Sequence, residues 1–185
     1  VVDASAEAAY ADKVSLFRRA NIHVEASPTQ SYVFDVFYVR GGKQHDFICM
    51  GPQADFFCDP ALGPVQKKGT LAGEDVPFER FYDDPNDKDK PLGSVSYAGY
   101  RGSGFQYFYN AQRCALKGRG LAEWKLTEPG PDQDAKRAWR GVGLRAHMVG
   151  MDEEIIACDG NPLAICMRSS DAWSGPSRWW NSRSG

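Results

Sequence analysis

The sequence predicts an all-β chain, mainly an antiparallel β-sandwich with one long Pro/Gly-rich connection. Three observations point there. Tyr32–Val39 is aromatic or β-branched everywhere except Asp35, the pattern of a strand buried on both faces. Nineteen glycines, eleven prolines and 12% aromatic residues suit short strands and turns better than a helix bundle. Several further stretches alternate apolar and polar residues with the period of a half-buried strand. At 185 residues the chain is long enough for one domain with a real core. We place that domain at 1–168 and an irregular surface tail at 169–185, where Trp173, Trp179 and Trp180 stand among Ser, Arg and Gly without a period.

In chain order, Ala4–Ala11 is too short to choose between a helical turn and an extended lead-in. Val14–Glu25 reads as a strand with Leu16, Ile22 and Val24 on one parity, and Arg18-Arg19 suggests a twist or bulge. Ala26–Gln30 is a turn, with Pro28 presetting φ. Tyr32–Val39 and Lys43–Met50 then read as a β-hairpin at the centre of a sheet, reversed at Arg40-Gly41-Gly42 and stopped by Gly51-Pro52. Pro52–Pro91 is a long connection with one short strand near Ala54–Cys58, the kind of loop that is usually functional or packs on a partner domain. Ser94–Asn110 is a second aromatic-rich β segment, interrupted by Gly99, Gly102 and Gly104. Leu121–Thr127 puts Ala122, Trp124 and Leu126 on one face, and Glu128–Arg137 is a charged loop. Within Trp139–Met148 the core face is Val142, Leu144, Ala146 and Met148. Glu154–Cys158 and Leu163–Met167 are short strands joined through Asp159-Gly160-Asn161-Pro162.

Composition narrows the function classes. A formal charge of −2 gives no long-range attraction to nucleic acid or an anionic membrane, so neither is an expected partner. No stretch reaches the ~18 apolar residues of a membrane-spanning helix. Val1–Tyr10 lacks the apolar core of a secretory leader. The five cysteines, Cys49, Cys58, Cys114, Cys158 and Cys166, form no CxxC pair and no zinc-finger spacing. They read first as small buried hydrophobes, with a Cys158–Cys166 bridge across the last hairpin as the alternative. His23, His45 and His147 have no neighbouring ligand pattern, so no metal site is expected and no cofactor is named. The glycines of Y-R-G-S-G-F-Q lack the helix and the lysine of a phosphate-binding loop.

Three motifs in order carry a resemblance. They are the strand ending V-R-G-G-K-Q-H-D-F with its Gly-Pro stop, then G-T-L-A-G-E-D-V-P (Gly69–Pro77), then G-Y-R-G-S-G-F-Q-Y (Gly99–Tyr107). Together they resemble the downstream β-sandwich region of heparinase II/III-like polysaccharide lyases, over residues 8–160. The resemblance implies extracellular or periplasmic β-elimination on uronic-acid polysaccharides, with an acidic polysaccharide and an upstream helical toroid domain as partners. Such a reaction needs a group that neutralises the uronate carboxylate, a base for the α-proton and an acid for the leaving oxygen. In that family these come from asparagine, histidine and tyrosine of the toroid and from a histidine in a metal-binding motif earlier in the sandwich. None of those motifs is present here, so no catalytic residue is carried over and the chain alone is expected to be inactive.

Tyr100, Arg101 and Tyr107 remain as candidate substrate-binding residues, since flat rings stack on sugar faces and arginine forks a carboxylate. His45 joins them as a polar residue beside the glycine turn; Asp46, next to it, points to the opposite face of a strand. Two departures favour a packing role for the hairpin: Tyr38 replaces the family's arginine, and Ile48-Cys49-Met50 replaces a serine–phenylalanine–histidine-like ending. The alternative readings are a non-catalytic carbohydrate-binding module and a structural module that assembles, as a homo-oligomer or with other chains, through sheet edges.

Overall fold

A computed structural model describes residues 1–10, 12–51, 54–84, 86–91, 100, 102–125, 143–149, 153–160, 164–170 and 177–182, the last two ranges as backbone. The strands are β1 (Val2–Ser5), β2 (Val14–Ser27), β3 (Gln30–Gly41), β4 (Gln44–Met50), β5 (Asp55–Asp59), β6 (Tyr109–Ala115), β7 (Arg119–Lys125), β8 (Gly143–Val149), β9 (Glu154–Asp159), β10 (Ala164–Ser170) and β11 (Ser177–Ser182). They form a seven-stranded sheet in the order β1-β2-β3-β11-β8-β7-β5 and a four-stranded sheet in the order β4-β10-β9-β6. All pairings are antiparallel. Two short 3-10 turns, Glu7–Tyr10 and Phe105–Tyr107, are the only helical elements among the described residues, and no helix there is long and apolar enough to cross a membrane. The all-β, antiparallel, sandwich-like fold is the one the sequence predicts.

The core lies between the sheets. Ala122, Trp124, Ala146, Met148 and Cys58 of the large sheet pack against Phe47, Ile155 and the adjoining Leu116. The alternation in β7 and β8 dictates this, because every second side chain of a strand faces the same way. A second cluster lies on the other face of the small sheet: Ile156, Cys158 and Ala111 meet Leu71, with Ile48, Phe105 and Phe108 packed against them. Adjacent Ile155 and Ile156 therefore serve two cores, and the long connection after β5 is a third layer over the small sheet. Gly51, at the end of β4, lets that strand close on the core: a Cβ there would lie 2.1 Å from the Trp124 ring.

Several expectations are corrected. Tyr32–Val39 and Lys43–Met50 are not a hairpin within one sheet, because β3 belongs to the large sheet and β4 is an edge strand of the small one. Gly41 (φ 96) and Gly42 (φ 81) carry the chain across the sandwich as an arch. A Cβ on Gly41 would come within 2.6 Å of the Lys13 carbonyl oxygen, so the crossing is too tight for any other residue. The hairpin is β2–β3, reversed at Pro28-Thr29 as the turn predicted. Nor is Tyr32–Val39 buried on both faces; only Val39 is buried, at 8% exposure, and the rest are half-buried. Arg18-Arg19 makes no bulge: the register is continuous there and shifts only at Val14/Leu16 and Glu25/Ser27. The two arginines sit on opposite faces, Arg18 paired with Asp3 of β1 and Arg19 with Asp35 of β3.

Among the described residues of the segment expected as strand over Ser94–Asn110, strand begins at Tyr109; Gly104 (φ 81) turns the chain into the 3-10 turn, and 92–99 and Arg101 lie outside the described residues. The expected irregular tail contains two strand segments. β10 runs past residue 168, and β11 pairs with β3 on one side and β8 on the other. A strand held by ladders on both edges satisfies its backbone whatever its side-chain period, so the missing period concealed it. In the last hairpin Cys158 lies opposite Ala164, and Cys166 opposite Ile156. The expected loop over Glu128–Arg137 lies outside the described residues.

Candidate functional site: an aromatic groove over the small sheet

The third layer does not cover the small sheet completely. It leaves a groove of 640 Å³ bordered by Ile48 and Met50 of β4, by Phe78, and by Ser103, Tyr107 and Tyr109. Three large apolar side chains are left open to solvent there: Met50 at 55%, Phe78 at 45% and Tyr109 at 38% exposure. The Phe78 ring stands edge-on to Tyr107 (centroids 5.8 Å) and to Tyr109 (5.5 Å), so the three aromatics form one continuous wall.

The wall is rigid because its two segments are tied together. Leu71 N–H donates to the Phe108 carbonyl (2.7 Å) and Glu79 N–H to the Gln106 carbonyl (3.3 Å). The Thr70 hydroxyl, fully buried, donates to the Val76 carbonyl at 3.0 Å and closes the Gly69–Pro77 turn from inside. Gly69 (φ 74) is obligatory, since a Cβ would lie 2.3 Å from the Gly73 carbonyl oxygen. Beside the groove two residues other than glycine adopt left-handed backbone, Glu79 (φ 66) next to Phe78 and Asn110 (φ 51) next to Tyr109. Such conformations cost about 1 kcal/mol or more and collect where a side chain must be aimed. Asn110 is steadied by its amide donating to Asp159 (2.8 Å).

Behind the wall lies a polar network. The Tyr100 hydroxyl donates its one proton to Asp83, and the Gln106 side-chain oxygen lies 3.2 Å from the same hydroxyl. The Ser103 amide donates to the other Asp83 oxygen (2.8 Å), and Gly104 N–H donates to the Tyr100 oxygen (3.3 Å). Burial alone raises the Asp83 pKa, but hydrogen bonds from Tyr100 and Ser103 outweigh it and hold the carboxyl below its ordinary value. Burial, then the contact with Asp83, pushes the Tyr100 hydroxyl above its ordinary value. Tyr100 thus stays protonated at neutral pH and positions the loop. Gln106 is completely buried, and its amide nitrogen has no partner among the described residues.

Of the residues expected to bind substrate, Tyr107 lines the groove. Tyr100 lies behind it in the network. His45 is on β4 near the arch, its ring Nε2 2.5 Å from the Gly41 carbonyl oxygen. It has the opposite parity from Ile48 and Met50, and at ~3.4 Å per residue it is about 17 Å along the strand from Met50. Arg101 lies outside the described residues. Sequence reasoning missed Phe78 and Met50. The one signal for Phe78 is its place directly after the Gly69–Pro77 motif; an irregular layer has no period to mark its inward residues.

The groove offers aromatic edges and faces, a thioether and the hydroxyl-bearing residues Ser103, Tyr107 and Tyr109, a surface for the apolar face of a ring-shaped ligand. Among the described residues no group of three or more His, Cys, Asp or Glu side chains converges as a metal site would require. No family model matches the chain, and no match was found among curated proteins or solved structures.

Proposed function

We propose that this chain is the β-sandwich portion of a heparinase II/III-like polysaccharide lyase, extracellular or periplasmic, that acts by β-elimination on uronic-acid polysaccharides. In this reading it packs with an upstream helical toroid, supports the substrate cleft through the aromatic groove and supplies no proton-transfer group. One observation carries the reading: the groove is walled by the segments that carry two of the three resembling motifs. Phe78 directly follows Gly69–Pro77, Ser103 and Tyr107 belong to Gly99–Tyr107, and backbone hydrogen bonds join the two. Pyranose rings present flat C–H faces that suit Phe78, Tyr107 and Tyr109, while an equatorial uronate carboxylate projects at the ring edge, clear of the stacking face.

The test has two arms. The full chain is incubated with alginate, heparan sulfate and chondroitin while unsaturated-uronate absorbance is followed, and binding of the same glycans is measured by calorimetry. The expected result is no turnover together with binding that weakens about tenfold or more in Tyr107→Ala and in Phe78→Ala, a loss of ~1.4 kcal/mol. Robust turnover by the chain alone overturns the assignment of catalysis to the toroid. Absence of binding to every glycan, with the variants folded, overturns the groove. The non-catalytic carbohydrate-binding module shares the groove; it is favoured if mixing with a toroid of that family restores no lyase activity.

A further inference from the structure

The cysteines enter none of the reading above, yet two of them meet. Cys58 is on β5, the edge strand of the large sheet, and Cys114 is on β6, an edge strand of the small sheet. Both belong to the core between the sheets, Cys58 at 7% exposure and Cys114 packed against the same cluster. The two edges abut, because the chain leaving β5 bonds to β6: Gly63 N–H donates to the Arg113 carbonyl (2.8 Å) and Gln66 N–H to the Ala111 carbonyl (2.8 Å), and the Cys58 and Cys114 side chains interact. The other placed thiols belong to other places in the strand order, although Cys158 lines a pocket with Cys58 and Cys49 packs on the same core. Cys49 is on β4, at the opposite edge of the small sheet, and Cys158 belongs to the second core on that sheet's far face, with Leu71 and Ile156.

We propose that Cys58 and Cys114 form a disulfide when the chain folds in an oxidising medium, fastening the edges of the two sheets to each other across the core. The oxidant is a low-molecular-weight disulfide such as oxidised glutathione. One cysteine thiolate attacks a sulfur of the oxidant, releases one small thiolate and leaves a mixed disulfide. The second cysteine thiolate attacks the protein sulfur of that mixed disulfide and releases the other. Two electrons pass from the cysteines to the oxidant, and the two cysteine protons end on the released thiols. Burial raises both thiols above their ordinary range, Cys58 to about 12, so few thiolates exist in the finished sandwich. The bond therefore forms while this edge is still open during folding. The closed loop, from 58 to 114, contains the whole third layer, so the bond also limits the freedom that layer gains on unfolding.

The experiment uses the full chain, unfolded and reduced, then refolded in a mixture of reduced and oxidised glutathione, alkylated and weighed intact. The expected product keeps three of the five thiols alkylatable and yields a Cys58–Cys114 cross-linked peptide that disappears on reduction. Its thermal midpoint exceeds that of the reduced chain by about 5 °C or more, and the double variant C58A/C114A shows no such dependence on reductant. Five alkylatable thiols after refolding, or a cross-link between any other cysteines, overturns the proposal; this readout on the unmodified sequence stands even if the variant fails to fold.

Discussion

β3 and β9 are both strongly apolar, and they end in different environments. Tyr32–Val39 has seven apolar residues out of eight but only Val39 is buried, whereas Ile155, Ile156, Ala157 and Cys158 are at most 4% exposed. The difference lies in what covers them. β9 is inside a small sheet with the large sheet on one face and the long connection on the other. β3 is inside the large sheet, where its Phe37 packs on the core, but Asp35 on the same parity is spent on an ion pair with Arg19. An apolar run thus reports that a strand tolerates burial on both faces; the neighbouring layers decide whether it receives it.

The largest effect expected from this contrast is a difference between strands. Ile155→Ala and Ile156→Ala should each cost about 4 kcal/mol, read from denaturant midpoints, because each leaves a cavity in a different packed layer. Val36→Ala in β3 should cost about 1 kcal/mol or less. Equal losses in the two strands would break the comparison. Next comes Gly51→Ala, expected to cost about 3 kcal/mol, since the added methyl meets the buried Trp124 ring rather than open space. A loss under ~0.5 kcal/mol in the same unfolding assay would show that β4 does not close there as described.

The smallest effect concerns the loop behind the groove. Tyr100→Phe should cost about 1 kcal/mol at neutral pH. Because the Asp83 pKa is lowered on folding, its contribution is present above the unfolded carboxylate value and is lost as pH falls through the folded one. The Tyr100 pKa is raised, so its contribution is present below the unfolded tyrosine value and is lost as pH rises through the folded one. The difference between wild type and Tyr100→Phe should therefore shrink at both the acid and the alkaline end of a urea-midpoint profile; a difference independent of pH would remove the network from the account.

Much of the fold was legible. The alternation in β8 named Leu144, Ala146 and Met148 as core, and Ala146 and Met148 are buried with Leu144 packed against them; the alternation in β7 put Ala122 and Trp124 on one face, and both are buried. Pro28 marked the β2–β3 hairpin. What was not legible depended on long-range placement. Gly41-Gly42 signals a reversal in the sequence but does not say whether the chain returns to the same sheet or crosses to another. The site was read in part: Tyr107 reached the groove, whereas Tyr100 was absorbed into supporting it. Phe78 and Met50 gain their importance only when residues from β4, the long connection and the 3-10 turn are brought together, and no local spacing records that meeting.

Hydrogen exchange followed by mass spectrometry on the full chain tests the layered arrangement most directly. The account predicts that amides of Ile155–Cys158 are released only with global unfolding, and that Leu71, whose N–H is bonded to the Phe108 carbonyl, is protected well above a solvated loop. Rapid exchange at Leu71, with β9 opening no later than β3, would contradict it.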